Sequence, residues 1–358
     1  MLMRGSHVVG EAAVRAGCRY YFGYPITPQN ELPEYLSGRL PEVGGTFIQG
    51  ESEIASINMV IGAAVAGGRA MTSSSSPGIS LKQEGISYLA GMELPAVVVN
   101  MMRGGPGLGN IAPSQADYFQ ATKGGGHGDY RVLVLAPAGG QELCELTIKA
   151  FDLADEYRNP VMLLGDGLMG QMMEPVVFPD PIDPADLPRK DWVLDGCAGR
   201  ERRMVYSMML DTNVLYQHNL HLRDKYERMV AKEQHWDTYQ TDDADTLVVA
   251  YGTASRIAKG AVNRLRREGY KAGLFRPISL FPYPKPALRE LSKKVQRVCV
   301  FELCNGQMVE DVVLSVGERA PVFFHGLPGG PIPTPADVAE YLLSVINKDG
   351  KVGRRVEV

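Results

Sequence analysis

Cysteine is sparse and scattered. The five residues Cys18, Cys144, Cys197, Cys299 and Cys304 are spread over 358 positions, and no two form a C-x-x-C. Such spacing builds neither a zinc ribbon nor a ferredoxin-type cluster, and it reads as structural thiols in a reducing compartment. If the chemistry involves electron transfer, the iron is expected on another chain. A basic excess is missing as well. Net charge is −4, and no basic run precedes the short Arg354-Arg355 tail, which argues against a nucleic-acid partner. No apolar run approaches a membrane span, and the N-terminus lacks the uninterrupted apolar core of a signal peptide. The expectation is a cytoplasmic protein with no membrane contact. Internal repeats and low-complexity segments are also lacking.

What is present is ordinary globular composition, 45% apolar and 22% charged, in a chain too long for one core. From His7 to Gly165 strands alternate with helices, with strands at Tyr20 to Gly23, Thr46 to Gln49, Arg69 to Thr72, Ala96 to Met102, Val132 to Leu135 and Val161 to Leu164. That alternation predicts an α/β fold with a mostly parallel, doubly wound sheet over residues 1–174. Residues 175–245 read as a connector. It opens with Pro175, Pro179, Pro181, Pro184 and Pro188, and carries a charged helix at about 217–235. The apolar positions of that helix, Leu222, Tyr226, Met229 and Val230, fit a helix lying on a surface, a partner's surface included. A second α/β unit spans 246–347, and 348–358 is a tail.

One run organises the first unit. The strand Thr46-Phe47-Ile48-Gln49 stops at Gly50, Glu51-Ser52-Glu53 follow, and a helix starts at once. Ile54, Ile57, Ile61, Ala64 and Val65 fall at helical spacing and predict a buried stripe. Ala55, Gly62, Ala63 and Ala66 on the other side are small enough for another backbone to approach. Two readings fit the acids. In one, Ser52 is an N-cap and the acids favour the helix dipole. In the other, a buried Glu exchanges a proton with a bound cofactor, and Glu53, which leads into the helix, is the better candidate.

Other strand ends carry candidates of the same two-sided kind. Thr27-Pro28 reads either as a plain helix start or as an anion site of hydroxyl and free N–H groups. Arg103 follows the most apolar strand and precedes Gly104-Gly105-Pro106-Gly107-Leu108-Gly109-Asn110. It is either a surface ion-pair residue or a guanidinium for a carboxylate substrate. The glycine run is not G-x-G-x-x-G, so it suits a ligand-shaped loop better than a dinucleotide site. Gly165-Asp166-Gly167 reads as a turn. His127 sits in a glycine loop, with a catalytic part the minority reading, and His218 with His221 lacks a third zinc ligand.

Together, Tyr24-Pro25-Ile26-Thr27-Pro28, the Glu51-Ser52-Glu53 helix, Ser73-Ser74-Ser75-Ser76-Pro77-Gly78, and Arg103 with its loop through Pro113-Ser114-Gln115-Ala116-Asp117 carry a resemblance. Over about residues 4–345 the chain resembles the α subunits of 2-oxoacid:ferredoxin oxidoreductases, more narrowly the branched-chain (2-oxoisovalerate, 3-methyl-2-oxobutanoate) type. The resemblance implies an N-terminal thiamine-diphosphate pyrimidine-binding domain and a C-terminal transketolase-like domain. It implies a β subunit that holds the diphosphate half-site with its Mg and an iron–sulfur cluster. A γ subunit and often a ferredoxin-like δ subunit complete the enzyme, ferredoxin takes the electrons, and coenzyme A takes the acyl group. Glu53 matches the acid that exchanges a proton with the aminopyrimidine. Thr27 and Arg103 match residues that hold the substrate carboxylate, Pro25, Ile26 and Ser75 fall at the cofactor, and Ser76 and Leu108 at the substrate. Leu108 and Ala112 stand where 2-oxoglutarate-type relatives carry hydroxyls, which favours an apolar substrate side chain. The alternatives are a 2-oxoglutarate-specific subunit and a non-catalytic scaffold.

Overall fold

The computed structural model describes residues 1–347 and 354–356; the rest of the 348–358 tail lies outside the described residues. The chain opens with β1 (Leu2–Arg4), α1 (Gly5–Arg15), β2 (Tyr20–Gly23), α2 (Glu31–Glu42), β3 (Thr46–Gln49) and α3 (Glu53–Val65). It continues through β4 (Ala70–Ser74), α4 (Ser76–Gly91), β5 (Ala96–Met102), α5 (Tyr118–Lys123) and β6 (Leu133–Leu135). This half closes with α6 (Gly140–Tyr157), β7 (Pro160–Asp166), α7 (Gly167–Gln171) and β8 (Met173–Pro175). A proline-rich stretch leads to α8 (Thr212–Lys232), β9 (Trp236–Tyr239), β10 (Thr246–Val249), α9 (Gly252–Arg267), β11 (Ala272–Pro277) and β12 (Ser279–Phe281). Last come α10 (Lys285–Ser292), β13 (Arg297–Glu302), α11 (Met308–Val316), β14 (Val322–Gly326), α12 (Pro335–Asn347) and β15 (Arg354–Arg355).

The first sheet runs β12-β6-β7-β5-β4-β2-β3, parallel apart from β12, which the second half of the chain lends to its edge. Every residue of β5 and β7 is buried, as expected of apolar runs covered on both faces. From β2 the chain crosses one way to β3, and from β4 the other way to β5. The order therefore reverses beside β2 and β4, the place where open α/β sheets leave a crevice at the strand ends. The second sheet runs β15-β14-β13-β10-β11-β9, with four parallel inner strands and an antiparallel strand at each edge. Of the cysteines, Cys197 alone is exposed.

Two expectations about helices need correction. On α3, Ile57 and Ala64 are buried, but Ile54 is 50% exposed and Ile61 and Val65 are only partly covered. The inward set is Glu53, Ser56, Ile57, Val60 and Ala64, which is one helical face with Glu53 as its first member. The helix is turned to bring the carboxylate in. The close approach comes from glycines of α4: a Cβ on Gly85 would stand 2.6 Å from Ile57, whereas Gly62 on α3 faces open space. On α8 the surface beneath is the chain's own. Leu222, Tyr226 and Met229 join the first sheet's core, and Lys225 Nζ donates to Glu93 Oε1 and the Arg158 carbonyl, both at 3.2 Å. Val230 stays 41% exposed.

The two sheets are pinned together by Pro113 to Asp117 and the helix after it. Buried Gln115 donates from Nε2 to the Tyr251 carbonyl at 2.9 Å and accepts from the Leu303 N–H at 2.9 Å, while its own N–H meets the Leu303 carbonyl at 3.0 Å. Tyr118 OH donates to Asp311 Oδ2 at 2.8 Å. Across the same boundary Arg276 grips Glu142 with two bonds of 2.7 Å.

Candidate functional site

The crevice at the ends of β2, β3, β4 and β5 gathers the predicted residues in two groups. Glu53 forms the first. Ser52 caps α3 through its hydroxyl, which accepts from Ala55 N–H at 3.1 Å, so Glu53 is free of capping duty and turns inward, 7% exposed. Glu51 stays exposed. The Glu53 carboxylate lies against Gly78 at the start of α4: a Cβ built there would be 2.7 Å from Glu53 Oε1 and in collision with Ser74 Oγ. The glycine makes the cradle. Ser74 and Ser75, both fully buried, have hydroxyls without a hydrogen-bond partner among the described residues.

Arg103 forms the second group. It is 9% exposed, and its Nη1 donates to the Thr27 carbonyl and Nη2 to the Leu108 carbonyl, both at 2.9 Å. Its Nε is buried and has no partner among the described residues. Ser76 ties this group to the first: its hydroxyl accepts from the Arg103 N–H at 3.0 Å and donates to Asp117 Oδ2. Asn100 Nδ2 donates to the same Asp117 oxygen at 2.9 Å, and Asn100 Oδ1 accepts from Ser76 N–H at 3.2 Å. Burial holds the Asp117 carboxyl above the usual range, against the two bonds that favour its charge.

Several details differ from the sequence reading. Thr27 is not an N-cap, because α2 begins at Glu31 after Asn30; Ile26 to Gln29 form a turn closed by Gln29 N–H on the Ile26 carbonyl at 3.1 Å. The helix N–H groups expected beside Thr27 therefore lie further along the chain. Thr27, Tyr24 and Pro25 are exposed and Ile26 half-buried. Leu108 points its side chain outward, 78% exposed, and meets Arg103 through its carbonyl alone. Asp166 caps the short α7, accepting from Leu168 N–H at 3.0 Å and Met169 N–H at 3.1 Å; burial pushes its carboxyl up. His127 is exposed, and His218 and His221 are engaged with the Gly91 carbonyl and Glu93.

Sequence reasoning missed three features. One is the Gly78 cradle. A second is Lys82, fully buried on α4 with Nζ donating to Thr72 Oγ1 at 2.9 Å; a lone cation among Ile79, Gln83 and Ile86 on the inward face was its signal. The third is a cavity of about 510 Å³ beside Thr27, whose apolar walls include Pro28, Ile111, Pro113, Leu168 and Ile332. Ile332 comes from the second half of the chain, and the loops meet where Asn110 Nδ2 donates to the Gly329 carbonyl at 2.9 Å. No local pattern announces such a meeting.

A family model described as "Pyruvate flavodoxin/ferredoxin oxidoreductase, thiamine diP-bdg" matches residues 11–241, and one described as "Pyruvate:ferredoxin oxidoreductase core domain II" matches 244–338. The chain belongs to this oxidoreductase family. The ketoisovalerate oxidoreductase subunit VorB of Methanothermobacter thermautotrophicus is 50% identical over 318 residues, 89% of this chain and 90% of the relative. The 2-oxoglutarate synthase subunit KorA of Archaeoglobus fulgidus is 40% identical over 321 residues, 87% of this chain and 90% of that one. Among solved structures, 2-oxoglutarate:ferredoxin oxidoreductase from Magnetococcus marinus, which has 2-oxoglutarate, coenzyme A and succinyl-CoA bound, superposes with a TM-score of 0.85 at 25% identity. That match covers 97% of this chain and 65% of the other. A split-gene transketolase shares the fold at a TM-score of 0.61. The chain is thus a subunit of a ferredoxin-dependent 2-oxoacid oxidoreductase with a thiamine-diphosphate-binding α/β domain, and such subunits work with partners. Among the described residues no helix is long and apolar enough to cross a membrane.

The residues present fit the pyrimidine half of thiamine diphosphate. A buried carboxylate, two orphaned serine hydroxyls and a glycine-lined cradle offer acceptors, donors and room for a flat heterocycle.

Proposed function

We propose that this chain is the α subunit of a heteromeric oxidoreductase that converts a branched-chain 2-oxo acid, 3-methyl-2-oxobutanoate, with coenzyme A to the acyl-CoA and carbon dioxide, passing electrons to ferredoxin. The observation that carries this reading is the Glu53 carboxylate seated on Gly78, one loop away from the unpartnered Nε of Arg103. In this reading the acid that exchanges the proton and the cation that holds the substrate carboxylate serve one crevice at the strand ends. Thiamine diphosphate supplies the electron sink that makes loss of carbon dioxide from a 2-oxo acid feasible. Glu53 would hold and move the proton at the pyrimidine, and Ser75, Pro25 and Ile26 would help to hold the cofactor. Arg103 Nε and Thr27 Oγ1 hold the substrate carboxylate, with Ser76 fixing Arg103 through its backbone. The apolar cavity beside Thr27 supports a branched aliphatic side chain, as does 50% identity to ketoisovalerate oxidoreductase subunits.

In this reading a β subunit supplies the diphosphate, Mg and iron–sulfur half of the site, and γ and ferredoxin-like δ subunits complete the complex. Purified alone, the chain is expected to show no turnover, and to gain it when co-expressed with those partners; turnover by the single chain would sink the proposal. Within the complex, Glu53→Gln is expected to lower decarboxylation by about 10²–10⁴-fold with assembly intact, and Glu51→Gln to have little effect. A scaffold subunit would leave the rate unchanged. Comparing 3-methyl-2-oxobutanoate with 2-oxoglutarate as substrates of the same complex tests the specificity.

A further inference from the structure

Lys82 is a buried cation to which the chemistry above gives no task. It stands on α4 one turn after Gly78, with no exposed surface, and Thr72 Oγ1 at 2.9 Å is its hydrogen-bond partner. Sealing an ammonium from water against one neutral hydroxyl is costly, and an apolar side chain of the same length would fill the space without that cost. The charge that faces it is Glu53, from α3; β4 contributes the neutral Thr72. Gly78 and Lys82 are four residues apart and share one face of α4, and Glu53 Oε1 lies 2.7 Å from the place of a Gly78 Cβ. Among the described residues, the two charges do not close into an ion pair within 4.0 Å. The ammonium therefore acts on the carboxylate through its field and leaves both carboxylate oxygens free for the crevice.

We propose that Lys82 is a positioning residue: its buried ammonium holds Glu53 as an ionised, crevice-facing carboxylate, ready to accept a proton shared with the cofactor ring. Use of that charge toward the cofactor rests on the function proposed above; the charge itself does not. Burial pulls the Lys82 ammonium down to about 8, and the Glu53 charge opposes the fall. Above that pH Lys82 loses its proton and its hold on Glu53 weakens.

The test uses the assembled complex stripped of thiamine diphosphate. Infrared difference spectra against Glu53→Gln, recorded as the pH is lowered from 7 with Lys82 and with Lys82→Met, report the charge on Glu53 directly. The expected result is that the carboxylate band gives way to the protonated-carboxyl band about one pH unit earlier in Lys82→Met. Calorimetric titration with thiamine diphosphate near that transition should show affinity up to about tenfold weaker in Lys82→Met, the equivalent of one pKa unit, and largely restored in Lys82→Arg. A band conversion at the same pH with Lys82 and with Lys82→Met overturns the proposal. If Lys82→Met fails to assemble, Lys82→Gln, which removes the charge and retains an N–H donor, is measured and judged in the same way. Earlier loss of the carboxylate band in the Lys82 variant, with thiamine diphosphate binding indifferent to Glu53→Gln, would refute the role of Glu53 and leave its control by Lys82 standing.

Discussion

Arg103 spends two of its guanidinium nitrogens on backbone carbonyls, Thr27 and Leu108, and none on a carboxylate among the described residues. A guanidinium fixed by neutral acceptors keeps its whole charge for an incoming anion. Arg103→Met is accordingly expected to cut kcat/KM for the 2-oxo acid by about 10²–10³-fold while the complex still binds thiamine diphosphate. Equal loss of cofactor binding would assign Arg103 to the fold instead. Lys82 carries a pH signature of its own. Its folded value, about 8, lies below the ordinary 10.5, so between those limits the unfolded chain holds a proton that the folded chain has released. Stability should therefore rise across that window, by about 1.4 kcal/mol for each pH unit, and Lys82→Met should flatten the rise. Lys225, also drawn down to about 8 by burial, contributes in the same direction, so denaturant titrations should show the slope reduced rather than abolished. The candidate residues themselves were legible in the sequence because each follows a strand that ends at a turn. What Glu53 rests on was not, since Gly78 lies 25 positions away and shows its role only as a close approach.

The central strands β5 and β7 of the first sheet are readable as apolar runs, and β2 and β3 fall where the pattern places them. Helix faces are less legible. On α3 the apolar count favours a stripe containing Ile54, yet the face is set by where Glu53 must go and by which α4 residues, Gly78 and Gly85, leave room. The Pro113-to-Asp117 run shows a different gap between motif and meaning. It looks like part of the ligand loop, and Asp117 does serve Ser76, but Gln115 is spent on the boundary between the two sheets. Gln115→Ala would leave the Tyr251 carbonyl and the Leu303 N–H without this partner, at about 1–3 kcal/mol for each orphaned group. The expected outcome is a chain with clearly lower denaturant midpoint. A change confined to substrate KM, with the midpoint unmoved, would instead place Gln115 in the site.

At the scale of the molecule, the cavity beside Thr27, the proposed substrate side of the site, is a joint product of both halves of the chain. β12 completes the first sheet from the second half, and the loop holding Ile332 closes the apolar cavity beside Thr27 through the bond from Asn110 to the Gly329 carbonyl. Specificity for a branched side chain therefore has two candidate sources that differ by more than 200 positions. Leu108 is an apolar residue in the loop after Arg103, but its side chain is 78% exposed in this chain. Ile332 lines the cavity itself. Taking one apolar group out of the wall around a substrate side chain costs about 1–3 kcal/mol, or 10–200-fold in kcat/KM. Ile332→Ser in the assembled complex is thus expected to reduce kcat/KM for 3-methyl-2-oxobutanoate within that range and to spare the much lower rate with 2-oxoglutarate. Leu108→Ser should do markedly less. If the larger and selective loss follows Leu108 instead, a partner subunit must fold that side chain inward, and the cavity under Ile332 has no part in choosing the substrate.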